Sequence, residues 1–266
     1  MDSAALTIPD HRHILGMRVD GTSYADAVDR VLAWARDHQS RYVCVATAHM
    51  VMEAYDSAEF REIVNEADLV TPDGMPLVWG LRWLGIKEAV RVYGPDLTPA
   101  VLRAAAALGI PVGFFGGAPA VLERLTAAAA ARFPGLNVAF AESPPFRPLT
   151  DEEDQGYVEH INRSGARILF VGLGCPKQEW WMAARRGRVR AVMLGVGAAF
   201  DFLAGTKPWA PRWMRQAGLE WLFRLATEPR RLWRRYLRHN PRFAFLFGLQ
   251  VMRHIASGRP RWHADA

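Results

Sequence analysis

The chain is 266 residues long, half of them hydrophobic, and carries a formal net charge of +6. Such a length accommodates one large α/β domain with an appendage, and the apolar content excludes a globally disordered chain. Its two cysteines, Cys44 and Cys175, lie in or beside apolar strand-like runs, so no disulfide framework is expected and a reducing cytoplasm suits the sequence.

The opening MDSAALTIPDHRH lacks the basic-then-apolar layout of a signal peptide. Residues 23–37, SYADAVDRVLAWARD, place Tyr24, Ala27, Val28, Val31, Leu32 and Ala35 on one helical face behind Ser23 as N-cap. YVCVAT (42–47) reads as a strand and AHMVMEAYDSAEFREIVNEA (48–67) as helix. DLV (68–70) is a second brief strand, leading into VTPDGMPLVWG (70–80), where Asp73 is the one acid. Asp73 either caps the helix expected near 74–85 or is a carboxylate presented at a strand end. DLTPAVLRAAAALG (96–109) predicts a helix stopped by Gly109. PVGFFGG (111–117) is a strand, AVLERLTAAAAARF (120–133) a helix, NVAFAES (137–143) a strand and DEEDQGYVEHINRSG (151–165) a helix. ARILFVGLG (166–174) and RAVMLGVG (190–197) are two buried strands. The longest uncharged run, 104–122, is interrupted by Pro111, Pro119 and glycines, and 243–252 is too short to cross a bilayer.

Strands alternating with helices, the strands continuously apolar, imply a Rossmann-like α/β fold: a parallel sheet with helices on both faces. In such sheets ligands bind beyond the carboxyl ends of the strands. Polar clusters recur there: Thr47 and His49, Asp73, Gly116–Gly117, Gly172–Gln178 and Gly195–Asp201.

GLGCPKQEWW (172–181) follows a strand and opens a helix. Gly172 and Gly174 let a ligand approach the backbone, and the helix N-terminus favours a phosphate. Gln178 offers a donor and an acceptor to a uracil edge or a sugar hydroxyl; the bland alternative is a tight turn with Gln178 solvated. Lys177 occupies the third glycine position of a dinucleotide fingerprint, which disfavours a nucleotide-dependent oxidoreductase. In GVGAAFDFLAG (195–205), Gly197 answers either to a ligand or to close packing, and Asp201 caps or orients. Cys175 has no imidazole placed beside it by sequence and reads as a buried or ligand-lining thiol rather than a nucleophile. His49 reads as a ligand or a base. No HxxxH, CxxC or DxD spacing occurs, so no metal site is expected, and Asp151–Asp154 look like helix-start charges.

Residues 207–266 hold 13 Lys/Arg against 3 Asp/Glu, so the basic character belongs to the C-terminal segment. An acidic body with a basic tail points to an anionic partner: lipid, phosphate or nucleic acid. Leu232, Trp233, Tyr236 and Leu237 fall on one helical face with arginines opposite, and with FAFLFGL (243–249) they favour a membrane surface. Arg224, Arg231 and Arg234 share a face and could clasp a diphosphate, provided Pro229 does not break the helix between them. The rival is a non-enzymatic nucleic-acid-binding module using the same tail; no recognition motif supports it, and no nucleic-acid partner is expected.

TPDG (71–74), RVYGPDL (91–97), GLGCPKQEWW (172–181), GVGAAFDFLAGT (195–206) and GLEWLFRLATEPRRLWRRYL (218–237) occur in an order that resembles the WecG/TagA/CpsF family of bacterial glycosyltransferases over roughly residues 15–240. The resemblance implies a Rossmann-like core over 1–206 and an appendage over 207–266 that completes the active site at the membrane. It implies a metal-independent, inverting transfer of a hexosyl unit, N-acetylmannosamine-, uronic acid- or related, from a UDP-sugar to a saccharide on polyprenyl (undecaprenyl) diphosphate, for surface polysaccharide or wall polymers. The UDP-sugar is a co-substrate and no further cofactor is implied. The location implied is peripheral, at the cytoplasmic face of the cell membrane; a homo-oligomer is open. Asp73 matches the general base, Thr47 a pocket threonine and Arg91 an arginine near the leaving diphosphate. Gln178 and the glycines before it match the nucleotide-sugar side. Arg224, Arg231 and Arg234 match arginines that meet the lipid diphosphate or UDP. Three positions depart from the family pattern: His49 stands for Asn, Cys175 for Ser or Thr, and Trp209 for Arg. His49 therefore bears on donor or acceptor contacts.

Overall fold

Strand pairing in the computed structural model, which describes residues 9–257, gives one small hairpin and one large parallel sheet. β1 (His11–Ile14) and β2 (Met17–Asp20) pair antiparallel through Leu15 and Gly16, both at positive φ. The sequence reading has no strand here, because four-residue strands rich in His and Arg give little alternation and the turn puts Leu where Asn or Gly is usual. α1 (Tyr24–Arg36) begins as expected at Ser23, whose side chain accepts from Asp26 N. β3 (Arg41–Ala46) follows. The single helix expected over 48–67 is two, α2 (Ala48–Asp56) and α3 (Ala58–Asn65). Ser57, in extended backbone, ends the first and accepts from Phe60 N to cap the second, the local competition with helical bonding that a serine hydroxyl permits.

β4 (Leu69–Pro72) leads to α4 (Met75–Trp83), then α5 (Gly94–Leu108), closed by Gly109 in the left-handed region. β5 (Val112–Gly116), α6 (Pro119–Arg132), β6 (Val138–Glu142) and α7 (Asp151–Ser164) come next. The acids opening α7 are helix-start charges: Thr150 and Glu153 form a capping box, and Asp154 pairs with Arg185 and Arg188. β7 (Ile168–Gly172), α8 (Lys177–Ala184), β8 (Val192–Gly195) and α9 (Ala199–Leu203) complete the core sequence. The appendage is α10 (Arg212–Gln216), α11 (Glu220–Thr227) and α12 (Pro229–Ala256).

The six parallel strands run in the order β4-β3-β8-β7-β5-β6, with helices on both faces, as the alternation predicts. One apolar layer joins the sheet to α1, α5, α6 and α9; the other joins it to the hairpin and to α2, α3, α4, α7, α8 and α12. After β5 the chain therefore turns to one face, and after β7 to the other. The same split occurs after β3 and β8. Diverging connections open a crevice beyond the carboxyl ends of those strands.

Gly172 lies at this crevice for a packing reason. A Cβ there would stand 2.6 Å from the Phe200 ring. Gly172→Ala should therefore cost about 1–3 kcal/mol by overpacking, measured as a lowered thermal midpoint; an unchanged midpoint would show that Phe200 yields freely.

α12 packs on the core rather than projecting from it. Phe243 and Phe247 are buried, and Gly80 of α4 leaves room for Phe247: a Cβ there would stand 2.9 Å from Ile14 and 3.0 Å from Phe247. Gln250 clamps the hairpin by accepting from Leu15 N at 2.9 Å and donating to His13 O at 2.7 Å. The FAFLFGL stretch, expected to favour membrane, thus splits, with Phe243 and Phe247 inward and Phe245 exposed. Leu232 is likewise buried while Trp233 and Leu237 are exposed, so the predicted apolar face is shared between core and solvent. Among the described residues, no helix is long and apolar enough to cross a membrane.

Candidate active site

Asp73 follows β4 directly, and its N–H donates to Ala46 O at 2.9 Å, which fixes it at the carboxyl ends of β3 and β4. The residue capping α4 is Gly74, with no side-chain cap bond. Asp73 instead aims its carboxylate at another helix: Oδ2 accepts from Gly94 N, the first residue of α5, at 3.2 Å. The choice left open by the sequence is thereby narrowed, since Asp73 does not cap the helix that follows it.

Arg91 ties this carboxylate to the appendage. Its Nε donates to Asp73 O, and one terminal nitrogen lies 3.4 Å from Asp73 Oδ1 and 2.8 Å from Glu220 Oε2. The guanidinium lies over the Tyr93 ring at 4.0 Å, and the Tyr93 hydroxyl donates to Glu220 Oε1 at 2.5 Å. Glu220 is the first residue of α11. Two carboxylates thus share one arginine, with a tyrosine holding the second. Burial pushes the Asp73 pKa up to about 6; Arg91 opposes the rise and Glu220 adds to it. A carboxylate of that pKa is largely ionised near neutrality and basic enough to accept a proton, the poise wanted of a general base.

Thr47 caps α2, its Oγ1 accepting from Met50 N at 3.4 Å. His49, in the first turn of α2, is held neutral: burial, with Arg235 and His239 adding, drives its pKa down to about 3.

Gln178 is buried, not solvated. Its Oε1 accepts from Gly174 N at 3.1 Å and its Nε2 donates to Glu179 Oε1 at 2.8 Å. The amide fills the space beside the next strand end, where a Cβ at Gly195 or Gly197 would come within 3.0 or 3.4 Å of it. Gly174 (φ +80) and Gly197 (φ +49) both take the left-handed backbone that favours glycine, and a Cβ on Gly174 would meet open space. Glu179 is fully buried with Oε2 unpartnered; burial pushes its pKa up to about 7, with Gln178 opposing. Both cysteines are free, and burial, with Glu179 adding, pushes the Cys44 and Cys175 thiols well up. Thiols held protonated are poor nucleophiles.

The three appendage arginines do not share one helix. Glu228 (φ −132, ψ 55) ends α11, and Pro229 starts α12 as a first-turn proline. Arg224 therefore belongs to α11, half-buried with Nε unpartnered and its guanidinium 6.0 Å from the Phe202 ring centre. Arg231 pairs with Glu228, and exposed Arg234 lies over the Trp233 ring at 5.2 Å. Lys207 bridges Asp201 at 3.2 Å and Glu228 at 3.3 Å, which ties the end of the core to the α11–α12 junction. An open depression of about 320 Å³, lined by Thr227 to Arg231, lies at the α11–α12 junction.

Neither Tyr93 nor Glu220 is a site candidate from sequence alone, although both lie in motifs that carry the family resemblance, RVYGPDL and GLEWLFRLATEPRRLWRRYL. A signal existed: Glu220 is the one acid between residues 202 and 227.

A sequence profile of the glycosyl transferase WecG/TagA/CpsF family matches residues 12–257. The chain belongs to this family. The match runs from the hairpin through α12, so core and appendage, Asp73 and Glu220, fall within it. Membership makes the protein a glycosyltransferase of cell-surface polymer biosynthesis, working between a sugar donor and a lipid-linked acceptor.

Proposed function

We propose that the protein moves a hexosyl unit from a UDP-sugar to a saccharide carried on polyprenyl (undecaprenyl) diphosphate, with inversion, at the cytoplasmic face of a membrane. The observation that carries this reading is Asp73: an acid at paired strand ends, 14% exposed, with its pKa raised to about 6. One Asp73 oxygen takes the proton of the acceptor hydroxyl. The freed oxygen attacks the anomeric carbon, and UDP leaves from the opposite face. Glu220, the second carboxylate of the cluster, is held by Arg91 and Tyr93, so it is not placed as the nucleophile that a two-step, retaining route wants.

Charge on the leaving diphosphate is met by arginine rather than by a metal in this reading. Arg224 has an unpartnered Nε, Arg234 is exposed, and Arg231 borders the open depression at the α11–α12 junction. The Gly174 N–H is held by Gln178 Oε1, so what this turn offers the donor is close approach to backbone that carries no Cβ. Thr47, His49 and Gln178 line the donor and acceptor sides at neighbouring strand ends. Exposed Trp213, Trp221, Trp233 and Leu237 among the appendage arginines supply the aromatic and basic groups of a peripheral membrane contact.

The test is a panel of UDP-sugars offered with defined polyprenyl-diphosphate glycans and read by product mass. The expected product is acceptor plus one hexosyl unit, with one UDP released. Transfer only from another nucleotide, or only to acceptors lacking the diphosphate lipid, would overturn the reading.

A further inference from the structure

Three ligand-type side chains meet where the appendage crosses the core. His49 and Glu53 lie one turn apart on α2, and His239 comes from the middle of α12. His49 Nε2 stands 3.3 Å from Glu53 Oε1, and His239 Nε2 stands 3.8 Å from the same oxygen. One donor atom from each residue lies within 4.8 Å of the other two, and the two imidazoles cross edge to face at 5.0 Å. Nitrogen and oxygen ligands sit about 2.0–2.2 Å from a tetrahedral zinc ion, hence about 3.3–3.5 Å from one another. The spacing already approaches that of a closed site.

Two further observations set these groups apart from ordinary ion pairs. Arg238 and Arg242, on the same stretch of α12, are drawn to Asp56. Among the described residues, the close nitrogen partners of the Glu53 carboxylate are these two imidazoles, with no lysine or arginine paired to it. His239 is buried with Nε2 turned towards Glu53 and Nδ1 without a hydrogen-bond partner, so no partner at Nδ1 fixes the tautomer of the ring. Arg235 also faces His49, and its charge opposes a bound cation; the Glu53 carboxylate is the compensating charge.

We propose that His49, Glu53 and His239 form a site for one divalent transition-metal ion that ties α12 to α2. Two imidazoles and one carboxylate suit zinc, whereas magnesium and calcium prefer all-oxygen shells. Three protein ligands leave the fourth tetrahedral position to water. The ion would hold the appendage against the carboxyl end of β3 and takes no part in neutralising the leaving diphosphate; it engages His49, which the proposed function sets beside the substrates, but none of Asp73, Arg91 and Glu220.

The experiment uses the untagged full-length chain, stripped with chelator and titrated with Co²⁺ and then Zn²⁺. We expect one Co²⁺ per chain with the visible absorption of a low-coordinate nitrogen–oxygen site, displacement by Zn²⁺, and a Zn²⁺-dependent rise in thermal midpoint. His239→Ala and the milder Glu53→Gln, each checked for fold by circular dichroism without metal, should weaken affinity at least ~10-fold. A His11→Ala/His13→Ala variant, removing the paired rings on β1, should keep the site. Absence of stoichiometric uptake, uptake indifferent to both His239→Ala and Glu53→Gln, or uptake lost with His11 and His13 overturns the proposal.

Discussion

Asp73→Asn should lower turnover by ~100-fold or more while leaving the fold and donor binding intact, the usual scale for losing an acid–base group. The exchange is nearly isosteric. An Asn carbonyl can still accept from Gly94 N, and the Arg91 bond to the Asp73 backbone oxygen does not involve the side chain. What disappears is the capacity to take a proton, together with the weaker charge pairing of Asp73 Oδ1 with Arg91 at 3.4 Å, and Arg91 keeps Glu220 as its anionic partner. In wild type, kcat/KM should be low below pH 6 and climb as pH rises through about 6, because the working form is the carboxylate and its pKa stands near there. The mutant should keep a small residual rate without that limb.

The stability sign runs the other way. A carboxylate whose folded pKa is raised binds its proton more tightly when folded, so its contribution is present below the ordinary carboxylate range and is lost as pH rises through about 6. At neutral pH the protein therefore holds Asp73 ionised at a cost, and Asp73→Asn should melt no lower than wild type. Steady-state rates across pH, with thermal midpoints measured with and without UDP, check both claims. Wild-type-like turnover by Asp73→Asn would remove Asp73 from the role of base.

Much of this site is legible in the sequence because it is built locally. An acid after a β-branched run, with glycine following, places Asp73 at a strand end without any long-range information. The apolar runs Ile168–Gly172 and Val192–Gly195 likewise declare two buried strands, and Gly109 stops its helix. What the sequence withholds is contact between distant segments. Nothing in RVYGPDL says that Arg91 and Tyr93 will grip Glu220, and nothing near His49 announces His239. Proline shows the limit of local rules. Pro229 begins a new helix and separates Arg224 from Arg231, whereas Pro241 lies inside α12, which runs on to Ala256. Packing of Phe243 and Phe247 just beyond Pro241 holds α12 together across the lost backbone bond, and no local pattern carries that.

Glu220 gives the second large effect, because it joins the appendage to the base. Glu220→Ala strips Arg91 and the Tyr93 hydroxyl of a buried partner, a change that costs about 3–5 kcal/mol when one member of a buried ion pair is removed. At about 2–4 °C per kcal/mol for a domain of this size, the thermal midpoint should fall by roughly 6–20 °C. Glu220→Gln is the sharper probe. It keeps a hydrogen-bond acceptor for Tyr93 while removing the negative charge that helps raise Asp73. With that charge gone, Arg91 has Asp73 as its sole anionic partner within the cluster, so the Asp73 pKa should fall and the acidic limb of kcat/KM should move to lower pH. A weaker base on the same scaffold also turns over more slowly at the plateau. A merely structural role for Glu220 predicts a lowered midpoint with an unmoved limb. The limb and the midpoint must therefore be measured on both variants, with Tyr93→Phe as a control that removes one hydrogen bond and no charge. An acidic limb that stays in place in Glu220→Gln would dissolve the link between appendage and base; a limb that moves down there and holds in Tyr93→Phe assigns the effect to the charge shared across Arg91.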